Sequence, residues 1–317
     1  MVLQAGRRGQ AVHGVLLLDK PRGMTSQQAL QVARRALGAR KAGHTGTLDP
    51  LADGLLPLCF GAATKFAQMH LEADKSYVAR VHLGVSTTTW DGEGEVVRRL
   101  PVPPIDAPAL RDLLERFTGE IEQRPPLYSA LKRDGRALYE YARAGVQLEV
   151  PARRVRIDAI VPLAHEGDQL SLEVRCGKGT YIRSLAHDIG EALGCGAHLA
   201  ALRRIRSGGF DVAQAHGLQE LRAGDDAAGA HWLLPVDALV AELPALHLDE
   251  AHGAALLQGR ALALQAPAAP PRPGLLRVYG DGGQRPAPVF LGVARWDGQS
   301  LSAQRLLSPE ELHAQPQ

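Results

Sequence analysis

The clearest pattern along this chain is alternation. From Ser76 to Val85, Tyr77, Ala79, Val81 and Leu83 fall on one side and Val78, Arg80 and His82 on the other, which predicts a half-buried strand. Leu170, Leu172, Val174 and Cys176 alternate with Ser171, Glu173 and Arg175. Together with Val155 to Val161 they predict a strand pair across the Glu166-Gly167-Asp168 turn. Gly14 to Lys20 is a short apolar run ended by Pro21, which reads as a buried strand entering a loop.

A period of three to four residues marks the helices. Thr25 or Ser26 can cap a helix through about Leu37, with Gly38 as its stop and Val32, Ala33, Ala36 and Leu37 facing inward. Further helices are predicted over Ala62 to Glu72, over Ala107 to Phe117 with an apolar face of Leu110, Leu113, Leu114 and Phe117, and over Arg136 to Ala144. Another spans Tyr181 to Leu193, with Thr180 as cap and Gly194 as stop. Arg124 to Lys132 is expected to be extended, because consecutive prolines forbid helix. Leu199 to Ile205 reads as a short basic segment, and Phe210 to Val212 as a strand.

Residues 221–230 are small and polar, and 266–274 form a Pro-rich loop. Short strands follow the first of these at Ala245 to Leu248, Leu275 to Tyr279, Val289 to Trp296 and Ser300 to Leu306. The expected organisation is a flexible N-terminus over 1–13, a main domain over 14–243 and a small β domain over 244–317. Strands outnumber helices and do not alternate strictly with them. The fold class is therefore α+β: a mixed, largely antiparallel sheet flanked by helices.

One stretch breaks every period. Gly43-His44-Thr45-Gly46-Thr47-Leu48-Asp49-Pro50-Leu51-Ala52-Asp53-Gly54 packs three glycines, a proline, two acids and a histidine together. It reads as a loop of demanding backbone geometry, with Asp49 held extended by the proline that follows. The apolar run Leu55 to Phe60 would anchor it.

Composition narrows the chemistry. Of the 317 residues, 45% are hydrophobic and 22% charged, which suits a globular protein. The net charge is only +2, so any nucleic-acid role must rest on local basic clusters. These are Arg34, Arg35, Arg40 and Lys41; Lys132, Arg133 and Arg136; Arg153, Arg154, Arg156 and Lys178; and Arg203, Arg204 and Arg206, with about half expected to be ordinary solvated charges. Three cysteines give no disulfide framework. With no membrane-length apolar run and no signal peptide, the expected location is the cytoplasm. There is no GxGxxG, no P-loop, no GxSxG and no paired metal-ligand spacing. Cys195-Gly-Ala-His198 lacks a second half-site. A lone, well-posed carboxylate is left, suited to nucleophilic, general-base or electrostatic work at a sugar carbon.

The loop at 43–54 resembles the signature loop of the TruB family, the tRNA pseudouridine(55) synthases. The likeness continues in register through Leu17 to Pro21, Gly61 to Phe66, Asp74 to Tyr77, Pro126 to Lys132, Lys178 to Ser184, and Gly194 to Leu199 with Leu202 to Arg204. It covers about residues 14–212 closely. The tail resembles the family's PUA-type domain in position and strand content.

The resemblance implies isomerisation of uridine 55 in the tRNA T-loop to pseudouridine, with base flipping and with no cofactor or metal. It implies that Asp49 is the catalytic aspartate, that Tyr77 stacks on the uracil, and that Arg183 pairs with Asp49. Tyr181 and Leu202 would line the uridine pocket, and His44 would bind the disturbed T-loop. Lys20, with Pro21, matches a motif that buttresses the catalytic loop, and Lys20 is counted on the substrate side. The partner implied is the T-arm of tRNA, bound by a monomer without an obligate protein partner. A tRNA-binding or tRNA-folding protein without catalysis, and an rRNA-directed synthase, are the alternatives. Asp53 stands where the family often has Thr; it is expected to point away from Asp49.

Overall fold

Gly14–Lys20 forms the first strand, β1, and the reason it reads as a continuous apolar run lies in its two faces. Leu16 and Leu18 enter one apolar cluster, while Val15 and Leu17 enter another that also holds Phe290, Val293 and Leu307 from the far end of the chain. Ala52–Phe60, β3, divides in the same way, with Leu56, Leu58 and Phe60 on one side and Leu55 and Cys59 on the other. A strand covered on both faces shows no alternation. The computed structural model in which this is seen describes residues 10–129, 131–146, 148–223, 230–264, 272–281 and 287–315.

The remaining strands of the main sheet are β2 (Ala42–His44), β4 (Lys75–Leu83), β5 (Gly119–Gln123), β6 (Arg153–Glu166), β7 (Gln169–Cys176), β8 (Ala197–Ser207), β9 (Phe210–Asp211) and β10 (His216–Gly217). Their order is β10-β1-β3-β8-β4-β7-β6-β5, with β2 on β3 and β9 on β8. The β10–β1 and β3–β8 contacts are parallel and the others antiparallel. The mixed, largely antiparallel α+β sheet is therefore as expected. The helices include α1 (Ser26–Ala36), α2 (Ala67–Leu71), α3 (Ala107–Glu115), α4 (Leu138–Arg143) and α5 (Ile182–Ala192), with three more at Leu218–Ala223, Glu250–Leu257 and Pro309–His313. A second, five-stranded sheet comprises Ala245–Leu248, Gly274–Gly280, Val289–Trp296, Ser300–Leu306 and Leu262–Ala263, in that order. It meets the main sheet through the shared apolar cluster, where Phe66 and Phe290 lie 5.3 Å apart.

Several expectations change. The segment read as short and basic, Leu199 to Ile205, lies inside β8, an 11-residue strand at the centre of the main sheet. The predicted helix over Ala62 to Glu72 breaks into a 3-10 turn over Gly61–Lys65 and the short α2. The break coincides with anchoring to the second sheet, since Lys65 Nζ donates to Leu306 O at 3.0 Å and Phe66 is wholly buried. Helix α1 buries Ser26, Ala29, Leu30 and Ala33; Val32 and Ala36 are only half-buried. Thr25 is its cap, in a reciprocal capping box with Gln28. Thr180 does not cap α5; its hydroxyl turns back to Gly177 O, and Tyr181 holds the cap position. Asp225, Asp226 and most of the 266–274 loop lie outside the described residues.

Candidate active site

The shaped stretch is narrower than it reads, because its two ends are drawn into β2 and β3. The loop between them is fixed from three sides. Ser26, in the first turn of α1, both accepts from Leu48 N (2.8 Å) and donates to Leu48 O (3.0 Å). Gly23 N donates to Pro50 O at 2.7 Å, and Ala52 N to Asp49 O at 3.0 Å. Arg204, reaching in from β8, donates to Leu55 O (2.7 Å) and Gly46 O (3.3 Å). Asp49 is thus carried on a backbone with little freedom.

Its carboxylate opens onto a cavity of about 390 Å³. Tyr77 of β4, Tyr181 at the start of α5, Arg183 of α5 and Leu202 of β8 line the same cavity. Five of the seven residues singled out in the sequence therefore converge, from four separate elements. Arg183 approaches Asp49 at 2.9 Å and Asp91 at 3.4 Å. It also donates to Tyr128 O and Thr89 O, so both terminal nitrogens of its buried guanidinium are engaged. Tyr181 is pinned by Gln123, which accepts from Tyr181 N at 2.8 Å and donates to Tyr181 O at 3.1 Å.

Burial raises the pKa of Asp49 above the usual carboxylate value; Arg183 opposes the shift and the Asp91 charge adds to it. The second carboxylate that matters to Asp49 is thus Asp91. Asp53 instead pairs with Arg203 at 2.7 Å, alongside Asp19 at 2.8 Å. Asp91 is buried, and it accepts from Thr89 Oγ1 and Glu93 N. It sits in the Trp90–Gly94 stretch, which reads in the sequence as an ordinary turn.

His44 and Lys20 are placed differently. His44 lies on β2, outside the cavity lining, and its Nδ1 is buried without a hydrogen-bond partner. Burial and the Arg204 charge lower its pKa. Lys20 is completely buried, outside the lining of the Asp49 cavity. Its ammonium donates to Met24 O (2.6 Å) and Pro21 O (2.9 Å) across the turn beside the Asp49 loop. Burial pulls its pKa down to about 8 against the nearby Asp53 and Asp49 charges.

The basic clusters also sort out. Arg204 is buried and Arg203 doubly paired. Arg156 pairs with Asp74 and Asp158, Lys178 with Glu72, and Arg206 with Asp211.

Three family models match successive parts of the chain between residues 34 and 307. Residues 34–182 match the TruB family pseudouridylate synthase N-terminal domain. Residues 183–241 match the tRNA pseudouridylate synthase B C-terminal domain, and residues 244–307 the pseudouridine synthase II TruB C-terminal model. The chain is 54% identical to the tRNA pseudouridine synthase B of Azoarcus sp. (strain BH72), over 94% of this chain and 96% of that one.

The chain belongs to the TruB family.

A second TruB relative, the tRNA pseudouridine synthase B of Aromatoleum aromaticum, is also 54% identical, over 94% of this chain and 93% of that one. Among solved structures, the chain resembles one from a Cbf5-Nop10-Gar1 complex at a TM-score of 0.72 and 28% identity. That likeness covers 95% of this chain and 87% of the other. A chain from an H/ACA RNP bound to a substrate RNA containing 2'-deoxyuridine matches at a TM-score of 0.70 and 26% identity, over 96% and 87%.

Proposed function

We propose that this TruB family chain isomerises uridine 55 in the T-loop of tRNA to pseudouridine, with Asp49 as the catalytic carboxylate. The observation that carries the reading is the Asp49–Arg183 pair, 2.9 Å apart at a cavity large enough for one nucleoside. The target base enters by flipping out of the T-loop. The C1′–N1 bond breaks, the uracil turns within the cavity, the C1′–C5 bond forms, C5 gives up its proton and N1 takes one up. Arg183 keeps Asp49 ionised and fixes its direction. Tyr77 offers its ring as the floor on which the uracil turns. Tyr181 and Leu202 form the walls that keep the base from leaving. His44, half-buried on β2 beside the Asp49 loop, supports the disturbed T-loop.

In this reading residues 14–243 are the catalytic domain and 244–317 an RNA-binding domain of PUA type that holds another part of tRNA. The enzyme works in the cytoplasm as a monomer, with no cofactor or metal. The test is tritium release from an unmodified tRNA transcript labelled at C5 of uridine. One tritium per tRNA is expected, and none from a transcript with cytidine at position 55. Equal release from that control would sink the site assignment.

The raised pKa of Asp49 has a kinetic consequence. The ionised carboxylate is the active form, so the acid limb of the single-turnover rate lies above the pH of an ordinary carboxylate. Asp91 contributes to that shift by like-charge repulsion. Asp91→Asn removes the repulsion and moves the acid limb to lower pH, while the limb set by burial persists. A pH series of single-turnover rates on both proteins checks the sign.

Asp53→Thr is expected to keep full activity. Its ion pair with Arg203 is about one-third exposed, so its loss costs at most about 1 kcal/mol in urea unfolding. A large fall in turnover would show that Asp53 faces the chemistry.

A further inference from the structure

Arg204 heads the largest fully buried side chains of the described residues, at 1% exposure. Among those residues no carboxylate comes within ion-pair distance of it. A buried cation without a counter-charge is costly and persists only where its donors are well used. Here they converge on the site. Nε donates to Leu55 O at the root of the Asp49 loop, and one terminal nitrogen donates to Gly46 O within it. Directly across the β8–β4 ladder stands Tyr77, on the same face of the sheet, and both residues line the cavity. The Arg204 backbone presses on the same loop from below. It pairs with Gly54, whose φ is +99°, and a Cβ there would come within 2.3 Å of Arg204 O.

We propose that Arg204 is a positioning residue for the reaction: its buried guanidinium fixes Tyr77 of the cavity floor against the loop that carries Asp49. The inference rests on the catalytic reading given above. The guanidinium holds the loop through Leu55 O and Gly46 O, while its strand is paired with the one that carries Tyr77. The separation between floor and carboxylate is then set by one planar, five-donor group. Lysine cannot hold both carbonyls in the same fork.

Besides Arg204, the charged or titratable groups that bear on Tyr77 are Cys176 on β7, Asp49 on the loop and Lys75 on its own strand. Burial raises the phenol pKa, and Arg204 opposes that rise.

The test compares Arg204→Lys and Arg204→Gln with the parent protein. Three quantities are read: the single-turnover rate, tRNA affinity, and the ultraviolet titration of Tyr77, isolated by subtracting the matching Tyr77→Phe protein. Arg204→Lys is expected to fold and to bind tRNA as the parent does. Its turnover should fall between about 10-fold and 100-fold, the range of a misplacement near 1 Å. In Arg204→Gln the Tyr77 titration should move to higher pH, a shift that loss of packing alone does not produce.

Parent-like turnover in folded Arg204→Lys would overturn the proposal. So would an unmoved Tyr77 titration, or a rate that follows only the folded fraction. If Arg204→Gln does not fold, the titration is read on Arg204→Lys, where a displaced charge again moves it upward. If the parent itself forms no pseudouridine, the catalytic reading fails, whereas the titration still reports on the Arg204–Tyr77 link.

Discussion

Replacing Asp49 by Asn should abolish pseudouridine formation while tRNA still binds. Asn keeps the shape of the side chain and its place on the fixed loop, so the cavity and its walls survive. What disappears is the charge. Neither attack on the sugar nor removal of a proton is open to a neutral amide, so a fall of at least about 10⁴-fold in single-turnover rate is expected. That corresponds to about 5 kcal/mol of barrier. Filter binding to a T-arm transcript should give the parent affinity, since Asp49 is one small group in a large RNA interface. Near-normal product from Asp49→Asn would remove Asp49 from the catalytic role. Lost binding together with lost turnover would assign it to substrate recognition instead.

The second large effect is expected at Arg183. A cation in the first turn of a helix lies at the unfavourable end of the helix dipole, so its position in α5 is not explained by helix stability. Its partners explain it. One guanidinium spans Asp49 and Asp91 and donates to two carbonyls. Arg183→Lys keeps the charge and loses the fork, so Asp49 is no longer held in one direction. Turnover should fall by about 100-fold or more, the order expected when a reacting group is misdirected. Arg183→Met goes further, because it leaves buried Asp91 without a counter-charge. The expected cost is about 3 kcal/mol, near the lower end for a broken buried pair because Thr89 and Glu93 still donate to Asp91. Urea unfolding measures that loss, and turnover of the folded fraction separates it from chemistry. Parent-like stability in Arg183→Met would show that Asp91 does not depend on the pair.

Both experiments address residues that the chain advertises. Asp49 lies in a glycine-rich, proline-flanked loop, and Arg183 in a basic block that resembles the family's. Asp91 and Arg204 are not advertised. Asp91 sits in a sequence that any exposed turn could have, and its meaning comes from Arg183, which approaches from a helix 92 positions away in number. Arg204 looks like one member of a basic run. Its burial follows from the register of β8, where Leu202 and Arg204 face inward together and Arg206 does not. Two register shifts, between Leu199 and Ala201 and between Arg204 and Arg206, break the simple alternation that would have marked the strand.

Local sequence determined whatever depends on local forces. Alternation on β4 and β7, the capping box of α1, the glycine stops and the two-faced apolar runs of β1 and β3 are each fixed by residues within a few positions of one another. The extended bias at Asp49 is local too, set by Pro50, but the pose of its loop also needs Ser26 and Arg204. Tertiary structure alone decided which charges meet. The parallel contact of β3 with β8 places Arg204 against the Asp49 loop, and the seat of α5 beside Tyr128 brings Arg183 to Asp49 and Asp91. Long side chains reach across elements that are far apart in the chain. Whether such a cation is solvated, paired or buried is set by the packing that surrounds it, and no local pattern of residues carries that information.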